Sequence, residues 1–261
     1  MKTDTPLLQI EDLHTVFYTD AGVVKAVNGV EFALAPKQIL GLVGESGCGK
    51  SVTAFSIMRL LPEPGSRVET GRIELNGRNL LDLTEADMRR VRGNQLAMIF
   101  QEPMTSLNPV LTIGRQVAEA LFYHRQMSWK EAGEKALDLL EQVKIPSAAG
   151  RLNDYPHQLS GGMRQRVMIA MALANDPEII IADEPTTALD VMIQAQIIEL
   201  LEELQRELNL ALIVVTHDLG LVRCLAGFFL GVALQGGLST APARPLGTGA
   251  ELGAVTVVLG L

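Results

Sequence analysis

Along this chain, short apolar runs that stop at a glycine or an acid alternate with stretches in which apolar residues recur every three or four positions. "QILGLVG" (38–44), "EIIIADEP" (178–185) and "ALIVVTH" (211–217) are continuous apolar runs of strand length, and "QLAMIF" (95–100) is a fourth that stops at Gln101. Such runs predict strands buried on both faces, as in a parallel sheet. Leu7 to Leu13 and "VEFALA" (30–35) instead alternate apolar with polar, and "GRIELNGRNL" (71–80) alternates around Asn76-Gly77. These predict half-buried strands, the last pair joined by a tight turn. In "WKEAGEKALDLLEQV" (129–143), Ala132, Ala136, Leu140 and Val143 share one helical face. In "ALDVMIQAQIIELLEELQREL" (188–208), Ile197, Leu201, Leu204 and Leu208 form another helical stripe.

The pattern predicts an α/β fold: a mixed, mainly parallel sheet with helices on both faces, preceded by an antiparallel β part. Helical texture dominates from Glu102 to about Leu159 and is read as an inserted subdomain. The expected organisation is a first part of the core over 1–101, the helical subdomain over 102–159, a second part of the core over 160–222, and an atypical apolar tail over 223–261. Composition narrows the picture further. At 261 residues, 48% of them hydrophobic, the chain can bury a large core. With 22 Lys+Arg against 30 Asp+Glu the net charge is −8, so no nucleic-acid partner is expected. The two cysteines, Cys48 inside the phosphate-loop stretch and Cys224 far along the chain, give no metal spacing and no disulfide framework. The opening "MKTDTPLLQIEDLHTVF" holds no long apolar segment, so neither an export signal nor an N-terminal anchor is expected, and membrane contact should go through a partner.

Two stretches are built to hold phosphate. "GESGCGKS" (44–51) fills every fixed position of the phosphate-loop pattern and stands between a buried strand and a helix, as that loop must. The cradle is Gly44, Glu45, Ser46, Gly47, Cys48, Gly49, Lys50, Ser51 and Val52. Its backbone N–H groups wrap the phosphates, Lys50 adds a point charge, and the Ser51 hydroxyl suits Mg²⁺; Cys48 reads as a small loop filler. "HQLSGGMRQRV" (157–167) places Ser160, Gly161 and Gly162 at the start of a predicted helix, a second anion site by itself. In "IIIADEP", Asp183 emerges at the carboxyl end of a buried strand, where a metal-bound nucleotide would lie, and Glu184 is the candidate to orient an attacking water. Alone, an Asp-Glu pair would read as a solvated strand end; beside a phosphate loop it does not.

The ordered set of "GESGCGKS", Gln101 after a strand, "LSGGM" (159–163), "IIIADEP", "ALD" (188–190) and His217 after "IVVT" resembles the ATP-binding-cassette ATPases, which carry a P-loop NTPase core. "FQEPMTSLNPVLTIGRQVAEAL" and "YPHQLSGGMRQRVMIAMALANDPEIIIADEPTTALDV" are similar to the ATPase subunits of bacterial dipeptide, oligopeptide and nickel importers. The likeness runs from about residue 7 to 222, with Met163 where the general motif has Gln. It implies an ATP-hydrolysing subunit on the cytoplasmic face of the cell membrane, with membrane permease subunits, a second ATPase subunit and, indirectly, a solute-binding protein as partners. It also implies why there are two cradles: Ser160, Gly161 and Gly162 close over ATP held by the phosphate loop of a second, head-to-tail subunit. Carried over by position, Phe17 stacks on adenine with Tyr18 as second choice, Ser51, Gln101 and Asp183 attend Mg²⁺, Glu184 and His217 are catalytic, and Asp190 lies in the turn linking the two sites.

Each smaller signal has a plainer alternative. Phe17 can be a sheet core residue, a lone histidine at a strand end is commonly a surface group, and His14, His124 and His157 carry no functional reading. Against import stand a soluble cassette ATPase, a P-loop kinase and a nucleotide-switched module that does not hydrolyse; "LSGGM" has no use in a kinase, and Glu184 argues against the last. The likeness stops after "THDLGLV". From Arg223 to Leu261 only Arg223, Arg244 and Glu251 are charged, as a frame-shifted or truncated end would be. The expectation is a tail without chemistry that lacks closing strands and leaves a sheet edge uncovered, with Leu219 to Leu238 a weak candidate membrane span.

Overall fold

The computed structural model describes residues 6–218 other than Ala188, together with the backbone of 255–260. It divides into two compact units, Met1–Met88 with Asn209–Leu261, and Arg89–Leu208.

In the first unit, β1 (Leu8–Thr19) and β2 (Gly22–Leu34) form a long antiparallel hairpin. Strand β4 (Ser66–Leu75) pairs with the other edge of β1, and β5 (Arg78–Asn79) with β4. This is the expected antiparallel part. Its buried side is the apolar half of the alternation, with Leu8, Ile10, Leu13, Phe32, Leu34, Ile73 and Leu75 all buried. Asn76 and Gly77 take φ +50° and +75°, the left-handed pair that a two-residue hairpin turn of matching twist requires. Below it lies a parallel set. β3 (Ile39–Gly44) is flanked on one side by β8 (Ala211–Thr216). Helix α1 (Lys50–Met58) follows β3 and packs on both sheets, and Thr15 of β1 shares a buried 2.8 Å hydrogen bond with Ser56 of α1.

On the other side of β3 runs β9 (Val255–Gly260), in parallel register from Ile39↔Val255 to Gly44↔Gly260. The expectation that the tail leaves an edge uncovered is thereby corrected. "VTVVLG" is a β-branched run of strand length, and its ladder satisfies the outer N–H and C=O groups of β3. The span considered over Leu219 to Leu238 lies outside the described residues; among those described, no helix is long and apolar enough to cross a membrane.

In the second unit, the last residues of α2 (Glu85–Val91) lead into β6 (Leu96–Ile99), which pairs in parallel with β7 (Ile179–Asp183). Between these strands lie α3 (Pro103–Ser106), α4 (Ile113–Arg125), α5 (Trp129–Gln142), α6 (Ala148–Arg151) and α7 (Gly161–Leu173). The helical texture read between 102 and 159 is therefore real. On α5, Ala132, Ala136 and Leu140 are fully buried, as is Val143 at its C-cap, and Ser128 with Glu131 forms a reciprocal capping box at its start. Helix α8 (Val191–Leu208) buries Ile197, Leu201 and Leu204, but Leu208 is 41% exposed. The buried stripe predicted through Leu208 stops one turn early, at Leu204, and Leu208 is the last residue of the helix.

Candidate functional site

In the first unit the phosphate loop turns between β3 and α1. Lys50 lies 9% exposed with Nζ donating to the carbonyls of Gly44, at 2.8 Å, and Glu45, at 2.7 Å. The ammonium is thus held in the mouth of its own loop by acceptors that give up little to a stronger anion. Gly49 is required twice over. It has φ +91°, and a Cβ placed there would stand 2.1 Å from the carbonyl oxygen of Ala26 in β2. The Sγ of Cys48 lies 3.7 Å from Lys50 Nζ. Glu45, Ser46 and Gly47 are exposed, Cys48 is half-buried, and Ser51 and Val52 are half-buried on the first turn of α1.

Register carries His217 to the same edge. β3 and β8 are paired as far as Val43↔Thr216, so Gly44 and His217 leave neighbouring parallel strands side by side, and His217 is exposed. Phe17 and Tyr18 stand near the end of β1, opposite Val24 and Val23 of β2. Phe17 is half-buried, whereas Tyr18 is 44% exposed with the Arg67 guanidinium 5.3 Å from its ring centre. Neither residue is a core side chain.

In the second unit the carboxylates gather at the end of the β6–β7 pair, whose last matched residues are Ile99↔Ala182. Two positions beyond that match stand Gln101 and Glu184, and Gln101 Nε2 donates to Glu184 Oε2 at 2.9 Å. Thr187 Oγ1 donates to the same oxygen at 2.8 Å. Thr187 escaped the sequence reading, although a hydroxyl three residues after the acid, in "EPTT", was the signal for a turn that folds back on it. Glu184 has φ +45°, a left-handed backbone that a non-glycine residue keeps only where its surroundings enforce it. Asp183, 2% exposed, ends β7 just before it.

The Ser-Gly-Gly cradle lies elsewhere in this unit. Ser160 caps α7 with Oγ accepting from Met163 N–H at 3.4 Å, and both Ser160 and Gly161 are exposed. A Cβ on Gly161 would meet Leu189 at 3.2 Å, and one on Gly162 would meet Ile193 at 2.7 Å. The turn before α8 therefore rests directly on the cradle. Asp190 belongs to that turn and accepts from Ile193 N–H at 3.0 Å, as a helix cap does. His157 is exposed and stacks on Tyr155, with ring centres 5.7 Å apart. Among the described residues, no group of three or more His, Cys, Asp or Glu is placed to hold a metal.

The sequence profile of the ABC transporter family matches residues 27–187. A probable peptide ABC transporter ATP-binding protein of Sinorhizobium fredii is 57% identical over 216 residues, 83% of this chain and 64% of that protein. The dipeptide transport ATP-binding protein DppD of Bacillus subtilis is 53% identical over 220 residues, 84% of this chain and 66% of that one. This chain thus spans about two thirds of the length of these curated relatives. Among solved structures, the dimeric post-hydrolysis state of the ATP-binding cassette MJ0796 bound to ADP and Pi superposes with a TM-score of 0.74 at 30% identity, over 83% of this chain and 90% of that one. The match to that profile over 27–187, with relatives more than half identical over most of the chain, places it plainly: it belongs to the ABC transporter family.

Proposed function

We propose that this chain is the ATP-hydrolysing subunit of a peptide-type importer, bound to membrane permease subunits at the cytoplasmic face and paired with a second ATPase subunit, identical or sister. The observation that carries the reading is the clamp on Glu184, whose Oε2 is held by both Gln101 and Thr187 at the end of a buried strand. Phosphoryl transfer to water asks little of a protein beyond positioning and charge, and a carboxylate fixed by two donors is a pre-oriented acceptor for the attacking water.

The other residues fall into place around that step. The phosphate loop from Gly44 to Val52 wraps the phosphates, and Lys50 exchanges its bonds to Gly44 and Glu45 for the terminal phosphate oxygens. Phe17 faces the adenine, and His217, leaving β8 beside Gly44, reaches the γ-phosphate. A buried aspartate, a serine hydroxyl and an amide oxygen are hard donors of the kind Mg²⁺ selects, so Asp183, Ser51 and Gln101 fit that ion. Gln101 spends its Nε2 on Glu184, which leaves its oxygen as the donor. When bound, Mg²⁺ neutralises charge on the phosphates. Ser160, Gly161 and Gly162 act on the nucleotide of the second subunit, and Asp190 ties that cradle to the catalytic turn. The printed names of the relatives, peptide, dipeptide and oligopeptide transport, support a peptide cargo, delivered to the permease by a solute-binding protein; the ADP- and Pi-bound dimer of the structural neighbour supports the shared site.

Replacing Glu184 by Gln keeps the clamp but removes the base. ATP binding should stay within a few-fold of wild type while turnover falls by about 10²- to 10⁴-fold. Parallel equilibrium binding and steady-state turnover decide it, and near-normal hydrolysis in the Gln variant overturns the assignment. Lys50→Ala should do the reverse, with weakened binding as its first effect.

A further inference from the structure

In the first unit, β1 carries Phe17 and α1 carries Lys50 and Ser51, and two contacts bind that strand pair to that helix. Of the buried positions on β1, Leu8, Ile10, Leu13 and Val16 are apolar and Thr15 alone is polar. Thr15 and Ser56 are both fully buried, with their hydroxyl oxygens 2.8 Å apart. Ser56 spends its one proton on the Val52 carbonyl, at 2.7 Å, so Thr15 is the donor to Ser56. A directed relay thus runs from the strand to the first turn of the helix. The second contact lies beside it on β2. Thr15 is matched with Val27 but Val16 with Lys25, so Ala26 is an extra residue of β2, a bulge. The main chain at that bulge is what Gly49 meets, with the Ala26 carbonyl oxygen 2.1 Å from where a Cβ would stand. Beyond the bulge the ladder continues through Phe17↔Val24, and Tyr18 N–H donates to the Gly65 carbonyl at 2.9 Å.

From this geometry we infer that Thr15 and Ser56 are positioning residues for the nucleotide. Their hydrogen bond fixes the strand that carries the adenine platform against the helix that carries the phosphate cradle, so that base and phosphates meet one preorganised site. The inference rests on the ATPase reading and its placement of adenine at Phe17, and it names the side chains that set the span of that site. Packing alone does not call for two hydroxyls here, since apolar side chains of like shape would fill the same space with no partner to find. What the hydroxyls add is direction. A bulge bends its strand and increases the local twist, and the bond beside it sets the angle at which β1 passes α1. With the span fixed, a base that has docked presents its phosphates to the loop at high effective concentration. A looser seat lowers that gain and leaves the contacts within each half of the site intact.

The test compares ATP with tripolyphosphate, which carries the phosphates without the base, by calorimetric titration of the full chain in Mg²⁺. Thr15→Val should weaken ATP by about fivefold, the worth of one hydrogen bond, while tripolyphosphate stays within about twofold. Thr15→Ser keeps the hydroxyl and should return ATP to within about twofold of wild type. Ser56→Ala removes the acceptor and favours the helix, so it should show the same selective loss even if Thr15→Val does not fold. The double variant should lose no more than the larger of the single losses, because both remove one bond. Phe17→Ala tests the underlying reading separately: it should weaken ATP and spare tripolyphosphate. If Phe17→Ala keeps its ATP affinity while Thr15→Val still discriminates against ATP, the placement of adenine at Phe17 falls and the tether stands. Equal weakening of both ligands by Thr15→Val and Ser56→Ala, the mark of a generally loosened fold, overturns the tether, as does unchanged ATP affinity in both variants.

Discussion

The phosphate loop and the Ser-Gly-Gly start of α7 use the same residue types, glycine and hydroxyl before a helix, yet they are built on different physics. In the loop, Gly49 is demanded by its own backbone, at φ +91°, as well as by the Ala26 carbonyl 2.1 Å from where its Cβ would be. At the start of α7 the backbone is ordinary: Ser160 is extended, and no left-handed φ occurs at Gly161 or Gly162. There the glycines answer a neighbour, since Leu189 of the turn before α8 and Ile193 in the first turn of that helix rest on them. The first cradle is closed around its own lysine, whereas the second is exposed and lacks a cation of that kind in its motif. A cradle shaped around a resident charge is suited to hold a ligand by itself. One that offers only N–H groups and a hydroxyl is suited to complete a site that another chain brings.

That contrast can be broken most directly in mixed assemblies. If the α7 cradle serves a second subunit, Lys50→Ala and Ser160→Arg chains, each inactive alone, should together regain turnover, because some mixed dimers then hold one intact site. Titrating one variant into the other, with permease subunits present if dimers need them, measures it; no recovery in verified mixed dimers would mean a site built within one chain.

The two kinds of glycine separate by substitution. Gly49→Ala should cost more than about 2 kcal/mol, because the left-handed backbone and the approach of a main-chain carbonyl both resist it. Gly162→Ala should cost about 1–3 kcal/mol, the usual range for overpacking, since the atom it meets is a side-chain methyl that can shift. Denaturant midpoints for both chains rank them; equal losses would erase the distinction between backbone and packing.

Thr187→Val sharpens the view of the strand end. It removes a donor to Glu184 and should lower turnover by roughly fivefold, the worth of about 1 kcal/mol of orientation, with ATP affinity unchanged. Loss of affinity instead would place Thr187 on the nucleotide.

The smallest effect is expected far from both cradles, at the start of α5. Ser128→Ala should cost about 1 kcal/mol. In the native chain the bonds from the Ser128 side chain and backbone hold the Glu131 carboxyl below its ordinary range. A lowered folded value means the contribution is complete above the unfolded carboxylate pKa and fades as acid takes the pH down through the folded one. The difference between wild type and Ser128→Ala in thermal melts should therefore persist at neutral pH and shrink below about pH 4.

Much of this was legible in the chain. The runs at β3, β7 and β8 announced themselves because a strand buried on both faces is apolar along nearly its whole length, and α5 did because only one face of a helix meets the core. The phosphate loop was legible because its glycines serve local backbone geometry, which is written locally. The clamp on Glu184 was not: Gln101 stands 83 residues away, and only the parallel register of β6 with β7 brings the two together. Leu208 looked like a core position because periodicity says nothing about where a buried stripe ends. The role of "VTVVLG" was hidden because an edge strand is defined by the partner that accepts its ladder, not by its own composition.

By itself, then, the sequence determined the order of strands and helices, the phosphate-binding backbone and the family to which the chain belongs, since each rests on residues near one another along the chain. Tertiary structure alone decided which carbonyls hold Lys50, which side chains clamp Glu184, what rests on Gly162, and that β9 closes the edge of β3. Some of those contacts join residues distant in sequence, as Gln101 with Glu184 or β9 with β3, and others only a few residues apart, but the energies of all depend on the distance and direction that packing imposes.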